Sequence, residues 1–398
     1  MIPYGRQDVT EADIAAVLTV LRSDLLTQGP VVPRFEQNIA SLTGARRAVA
    51  VNSATSALHI ACVALGLEKG DRLWTVPNTF VASANCARYC GADVDFVDID
   101  AHTWNLSVPA LEAKLSRAQA ERQLPKVLVP VHFAGQPTQQ EAIWELAQHY
   151  GFKVIEDASH AIGGSRQGEP VGSCRWSDVT VLSFHPVKIV TSGEGGMSLT
   201  NDPQIGERMA MLRSHGITRE PSRFQLQQHS EEDGGESESA GAAWYYEQQM
   251  LGFNYRMTDI HAALGASQLQ RLRQYVNRRN DLARRYDREL SGLPLQLPTV
   301  LPENESAFHL YVVRLTRDAP VTRRRAFDQM RRLGVGVNVH YTPVHLQPYY
   351  RALGFSEGQF PEAEAYGESA ITLPLYPAMT DFAQTEVIEV VRKVVGGG

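Results

Sequence analysis

Between residues 47 and 200 the chain alternates short apolar runs with longer amphipathic stretches. The runs at 47–51, 72–76, 93–97, 126–131, 153–156, 179–184 and 196–200 show little alternation of apolar and polar residues. That is the pattern of strands covered on both faces. The stretches at 55–65, 79–90, 108–119 and 137–150 lie between them and read as helices. Gly66, Gly91 and Gly151 fall where C-terminal helix caps belong. Before this region, Thr10 followed by Glu11 and Asp13 marks a helix start, with Ile14, Val17, Leu18 and Leu21 as its apolar face. The alternation predicts an α/β fold with a mainly parallel sheet of seven strands between helices. Ligands of such sheets bind at the carboxyl ends of the strands.

The pattern then changes. The stretch 219–243 has almost no apolar residue and reads as a mobile polar loop. A long helical stretch follows from Thr258 to about Leu290. Beyond it come a strand at 309–315, a helix at 322–333, a strand at 335–340 and a closing helix near 383–394. The expected organisation is a large domain over 1–260, a connecting helix over 261–290 and a smaller α+β domain over 291–398.

At 398 residues, 43% of them hydrophobic and 21% charged, the chain has the size and composition of a soluble enzyme. A net charge of -6 argues against a nucleic-acid partner, since neutralising phosphates needs a basic surface. No apolar run is long enough for a membrane span, and the first residues do not read as a signal peptide, so the expectation is cytoplasmic. Cys62, Cys86, Cys90 and Cys174 fit reduced thiols there; Cys86 and Cys90 can share a helix face, and packing suits them better than zinc.

Two segments carry the chemistry. Val154-Ile-Glu-Asp157 is an apolar run ending in an acid, and Ser183-Phe-His-Pro-Val-Lys188 leads into the glycines 193, 195 and 196. A lysine in a glycine-flanked loop and an acid at a strand end suit pyridoxal phosphate (PLP). That cofactor needs a lysine for its Schiff base and a carboxylate opposite its ring nitrogen. The plainer readings are a surface lysine and a helix cap or metal ligand. His160 can reach the cofactor or serve as a structural histidine. Ser183 can donate to a phosphate. In Asn52-Ser-Ala-Thr-Ser56, Thr55 and Ser56 would open a helix whose free N–H groups attract an anion, although ordinary capping explains the same residues. Phe80 can stack on a flat ring or sit in the core. Asn254 and Arg256 stand among aromatics before a helix capped by Thr258 or Asp259. His340, Tyr341 and His345 lack an acid or cysteine to complete a metal set and suggest a substrate-facing rim. His185, Arg256, His340 and Tyr341 are the candidate substrate contacts, and no metal site is assigned.

Together, Asn52–His59, 157–163, 183–197 and 252–263 resemble the DegT/DnrJ/EryC1/StrS sugar aminotransferases. The resemblance implies the PLP fold type I architecture. It makes Lys188 the Schiff-base residue and Asp157 the partner of the pyridine nitrogen, with Phe80 on the ring. Thr55, Ser56 and Ser183 would hold the phosphate, joined by Asn254 of the partner subunit in a homodimer that shares its active sites. It implies two half-reactions: L-glutamate leaves as 2-oxoglutarate with the cofactor as pyridoxamine phosphate, and a ketosugar then takes the amine. The motifs 52–59, 157–161, 183–188, 212–216 and 254–256 narrow the resemblance to enzymes that aminate C4 of a UDP-linked 4-keto-6-deoxy-N-acetylhexosamine for pseudaminic acid. Related dehydratases carry histidine at the lysine position, which disfavours dehydration here. A non-catalytic sensor would be expected to lose Lys188 or Asp157. A dinucleotide-dependent dehydrogenase would need a Gly-x-Gly-x-x-Gly after the first strand, which is missing.

Overall fold

The computed structural model describes residues 1–226 and 242–396. Seven strands form one sheet: β1 (Arg47–Val51), β2 (Arg72–Thr75), β3 (Asp93–Phe96), β4 (Val127–Val129), β5 (Lys153–Asp157), β6 (Val179–Ser183) and β7 (Gly196–Thr200). Their order across the sheet is β1-β7-β6-β5-β4-β2-β3. Strands β6, β5, β4, β2 and β3 are mutually parallel, and β7 runs antiparallel to both its neighbours. Strand β4 is shorter than the apolar run suggests because Pro130 has no N–H to continue the ladder. Pairing resumes at a single bridge between Val131 and Asp157.

Helices α1 (Glu11–Leu21), α2 (Val31–Thr43), α3 (Ala54–Ala64), α4 (Ala82–Tyr89), α5 (Val108–Glu121), α6 (Gln140–Tyr150) and α7 (Pro203–Leu212) accompany the strands. Two cores cover the two faces of the sheet. Val49, Val51, Val179 and Val181 point into one, and Ala50, Leu182, Phe184 and Leu199 into the other. Cys62, Cys86 and Cys174 are buried free thiols, and Cys90 is half-buried.

Helix α1 departs from its apolar pattern. Asp13 is buried, closing a capping box with Thr10 and accepting from Ser267 and Gln268. Ile14, Leu18 and Leu21 face outward instead, followed by exposed Leu25 and Leu26. The helix expected from Thr258 to Leu290 is two helices, α8 (Asp259–Leu269) and α9 (Leu272–Leu290). At the break, the Arg271 guanidinium donates to Asp13 at 2.6 Å and to Tyr275 Oη at 2.8 Å.

After α9 the chain adds β8 (Leu295–Gln296), β9 (Tyr311–Leu315), α10 (Arg323–Arg332), α11 (Pro361–Ser369), β10 (Ala370–Leu373) and α12 (Asp381–Val395). Strands β8, β9 and β10 make a separate antiparallel sheet. Strand β9 serves two cores: Tyr311 and Val313 pack with α9 and α12, whereas Leu310 and Val312 pack with the large sheet's core. The strand expected at 335–340 is instead two isolated bridges, Val335 to Ile2 and Asn338 to Thr372. The chain here touches one partner and then another, so no ladder forms. Most of the polar stretch expected as a mobile loop, 227–241, lies outside the described residues. Among the described residues no helix is long and apolar enough to cross a membrane.

One glycine decides how closely α3 approaches the sheet. A Cβ on Gly196 would lie 2.5 Å from backbone atoms of Ser53 and Ala54. Relieving that overlap would push the start of α3 off the end of β7. Gly196→Ala is therefore expected to cost about 1–3 kcal/mol, read from the urea midpoint. An unchanged midpoint would show that the start of α3 can move freely.

Candidate active site

The sheet's carboxyl edge gathers the site. Strand β5 ends at Asp157, paired in parallel register with Val181 of β6. Two residues further, Ser183 ends β6 opposite Gly196. The loop after β6 turns back so that the Lys188 N–H donates to the His185 carbonyl at 2.9 Å. Across the tight contact at Gly196 lies the first turn of α3. Ser53 caps it by accepting from the Ser56 N–H at 3.1 Å, and Ser56 Oγ donates to Asn52 Oδ1 at 2.7 Å. Ser53 thus caps the helix, and Thr55 and Ser56 stand in its first turn.

Asp157 is buried, 5% exposed. Its Oδ2 accepts from Ser83 Oγ at 2.7 Å, and its Oδ1 from the Ser159 N–H at 3.1 Å. Lys188 is half-buried as a residue, yet its amine lies deep enough that desolvation lowers its pKa from 10.5 to about 8, partly opposed by attraction to Asp157. Three histidines surround this pair. Desolvation, and then the Lys188 charge, hold His160 well below an ordinary imidazole and bring His340 down to about 4. His309 is lowered in the same way, by desolvation first. All three are neutral at pH 7, so the local charge resides on Lys188 and Asp157.

His160 Nε2 lies 3.3 Å from Tyr341 Oη, and the two rings stack at 17°. Tyr341 in turn sits 6.3 Å from Phe80 and from Phe133, ring centre to ring centre. Burial and the nearby Asp157 raise the Tyr341 phenol. His340 Nδ1 bonds Thr372 Oγ1 at 2.8 Å, and its ring is 5.5 Å from that of Tyr4. Phe80 is 59% exposed, an apolar ring left open beside the buried carboxylate.

The structure thus brings Asp157, Lys188, His160, Phe80, His340 and Tyr341 together, with Ser183, Thr55 and Ser56 along the same edge. Other candidates lie elsewhere in the chain's own contacts. His185 is exposed, 4.0 Å from Glu194. Arg256 donates to Ser214 Oγ at 3.2 Å. Asn254 is exposed on a segment docked at the end of β1, where the Asn52 N–H donates to the Tyr255 carbonyl. His345 does not belong to a substrate rim: it is buried 2.9 Å from Glu364 between aromatic rings. Two further residues join the site, neither marked by a strong sequence signal. His309 packs 4.5 Å from His160, with a buried Nδ1 that finds no partner among the described residues. Ser83 reaches Asp157 from the first turn of α4. The only sequence signal for Ser83 was its spacing of four from Thr79.

These residues fit PLP. A desolvated amine and a buried carboxylate lie within each other's field, an open aromatic face stands beside them, and hydroxyls line a helix start held close by Gly196. The model of the DegT/DnrJ/EryC1/StrS aminotransferase family matches residues 7–392, and the chain belongs to that family. It is a PLP-dependent sugar aminotransferase. Spore coat polysaccharide biosynthesis protein SpsC of Bacillus subtilis is 36% identical over 401 residues, covering 100% of this chain and 97% of SpsC. Spr1654 of Streptococcus pneumoniae in its PMP form superposes with a TM-score of 0.87 at 28% identity, covering 99% of both chains. Helicobacter pylori PseC, an aminotransferase involved in the biosynthesis of pseudoaminic acid, gives 0.88 at 27% identity over 100% of each chain.

The lowered pKa of Lys188 is directly measurable. In cofactor-free protein, acetic anhydride is expected to acylate Lys188 at a rate that rises with pH through a midpoint near 8, read by peptide mass spectrometry. A midpoint near the ordinary 10.5 would mean that the amine is solvated.

Proposed function

We propose that this chain transfers the amino group of L-glutamate to C4 of a UDP-linked 4-keto-6-deoxy-N-acetylhexosamine. The substrate is UDP-2-acetamido-2,6-dideoxy-β-L-arabino-hex-4-ulose, the product an intermediate of pseudaminic acid biosynthesis, and 2-oxoglutarate is released. The observation that carries the catalytic reading is the pairing of a desolvated Lys188, in the loop after β6, with a buried Asp157 at the end of β5. The sugar reading rests on the end-to-end likeness to PseC and on the motifs at 183–188, 212–216 and 254–256.

In this reading Lys188 binds PLP, Asp157 faces the pyridine nitrogen and Phe80 covers one side of the ring. Thr55, Ser56 and Ser183 hold the phosphate with Asn254 of the partner subunit. The outward apolar row of Ile14, Leu18, Leu21, Leu25 and Leu26 supports the homodimer this requires, because a water-facing stripe of that kind is usually an interface.

Bound PLP supplies an electron sink for the carbon that loses or gains a proton. Everything else falls to the chain. With a pKa of about 8, an appreciable fraction of the Lys188 amine is neutral near pH 7.5 and can act as a base, and its protonated form is an equally ready acid. In this reading Lys188 would take the proton from Cα of glutamate and give it up to the bound cofactor, and in the second half would carry a proton the opposite way, from the cofactor to C4 of the sugar. The neutral His160, His309 and His340 do not repel its cationic form.

A second reading is amination of another nucleotide-linked ketosugar, at C4 or C3. The higher identity to SpsC, 36% against 27% for PseC, favours keeping it.

Two measurements test the proposal. Lys188→Ala is expected to lose turnover by a factor of about 10²–10⁴, since one amine does the work of base and acid. Retained turnover would sink the role of Lys188. Wild-type enzyme, PLP and L-glutamate should convert the UDP-4-ketosugar to a product with nitrogen on C4, assigned by NMR. Reaction only with a 3-ketosugar, or only with another nucleotide, would move the second reading to the front.

A further inference from the structure

Asp157 does not stand alone in the core. Ser83 Oγ donates to its Oδ2 at 2.7 Å, and Thr79 Oγ1 lies 2.8 Å from Ser83 Oγ. Both hydroxyl-bearing residues are buried, Ser83 fully and Thr79 with 3% exposed. Proton counting fixes the direction of this short chain. A carboxylate has no proton to give and Ser83 has one, so the Thr79 hydroxyl donates to Ser83 and Ser83 donates to Asp157. Hydroxyls linked in this way polarise one another, and a bond to a charged acceptor is stronger than one between neutral groups.

The two hydroxyls come from the turn that opens α4. Phe80 lies between them in that turn, and the Ser83 N–H donates to the Phe80 carbonyl at 3.3 Å. One turn therefore carries the exposed ring and the anchor of the buried carboxylate. On the other oxygen, the Ser159 N–H is fixed by the backbone just after β5. A carboxylate held by one donor can swing about its Cβ–Cγ bond; a donor on each oxygen restrains that rotation.

We propose that Ser83, backed by Thr79, is a positioning residue. It fixes the rotation of the Asp157 carboxylate so that the remaining lone pairs face the pyridine nitrogen, and it ties that carboxylate to the turn bearing Phe80. This rests on the reading of Asp157 as the partner of that nitrogen. Because the hydroxyl acts on the orientation of a charge, its loss shows in the protonation of the ring nitrogen and not only in rate.

The test reconstitutes the protein with PLP carrying ¹⁵N in the ring. The nitrogen's chemical shift and the single-turnover rate with L-glutamate are then read for the wild type and four variants. Asp157→Ala is expected to move the signal from the protonated to the unprotonated position. Ser83→Ala should move it the same way, by less, and slow the glutamate half-reaction about ten- to hundredfold, the worth of one hydrogen bond to a charged group. Thr79→Val, nearly isosteric, should give a smaller shift of the same sign, whereas Thr79→Ser keeps the hydroxyl and the wild-type signal. If Ser83→Ala does not fold, Thr79→Val against Thr79→Ser decides. The inference is overturned if Ser83→Ala and Thr79→Val keep the wild-type shift and a rate within about twofold while Asp157→Ala moves the signal. It is equally overturned if the rate falls but the shift stays, because the hydroxyl would then act elsewhere. An unmoved signal in Asp157→Ala removes the role of Asp157 itself, and this inference with it.

Discussion

The parallel register of β5 against β6 is the constraint on which the site depends. Pairing Asp157 with Val181 sets the acid at one strand end and puts Ser183 two residues further along the neighbouring strand. From there the loop has only to turn back once for Lys188 to come within the field of Asp157. A slip of one residue would turn every side chain of β6 to the opposite face. Val181 would then leave the first core and Leu182 the second. The two cores that hold the sheet therefore also hold the register of the candidate site.

Burial does further work at the amine. A lysine in water is almost wholly protonated at neutral pH. Desolvation lowers Lys188 to about 8, while Asp157 keeps the shift from going further. The surrounding histidines are aromatic and polar, but neutral, so they shape the cavity without adding charge. A lysine lowered in this way suits the base-and-acid role proposed for it, and among the described residues the groups that shape its environment are neutral or anionic.

Much of the large sheet was legible in the sequence because its strands are short apolar runs punctuated by glycines and prolines, and those signals are local. The positions of Lys188 and Asp157 were legible from local signals too, Asp157 at the end of such a run and Lys188 in the glycine-flanked loop after the next one. What could not be read depends on partners distant in the chain. The break before α9 falls where Arg271 reaches Asp13, some 258 residues away in the chain. Asp13 is buried on α1 while Ile14, Leu18 and Leu21 face out, an inversion that periodicity alone cannot foresee. His345 belongs to Glu364, not to the rim. Ser83 lies in a helix start with nothing in its neighbours to suggest that it meets an acid 74 residues away. His309 precedes an apolar strand, where it reads as an ordinary strand-end residue.

The central claim is that Lys188 and Asp157 form a working transaminase centre and not the remains of one. It is tested most directly by the absorbance spectrum of the purified protein with PLP, before and after L-glutamate, beside Lys188→Ala. The account predicts a long-wavelength band from lysine-bound cofactor in the wild type, absent in Lys188→Ala. In the wild type, glutamate should bleach that band towards the pyridoxamine form. A wild-type protein that forms no such band with PLP, or keeps it unchanged in excess glutamate, would contradict the account and leave a PLP-fold protein without transaminase chemistry.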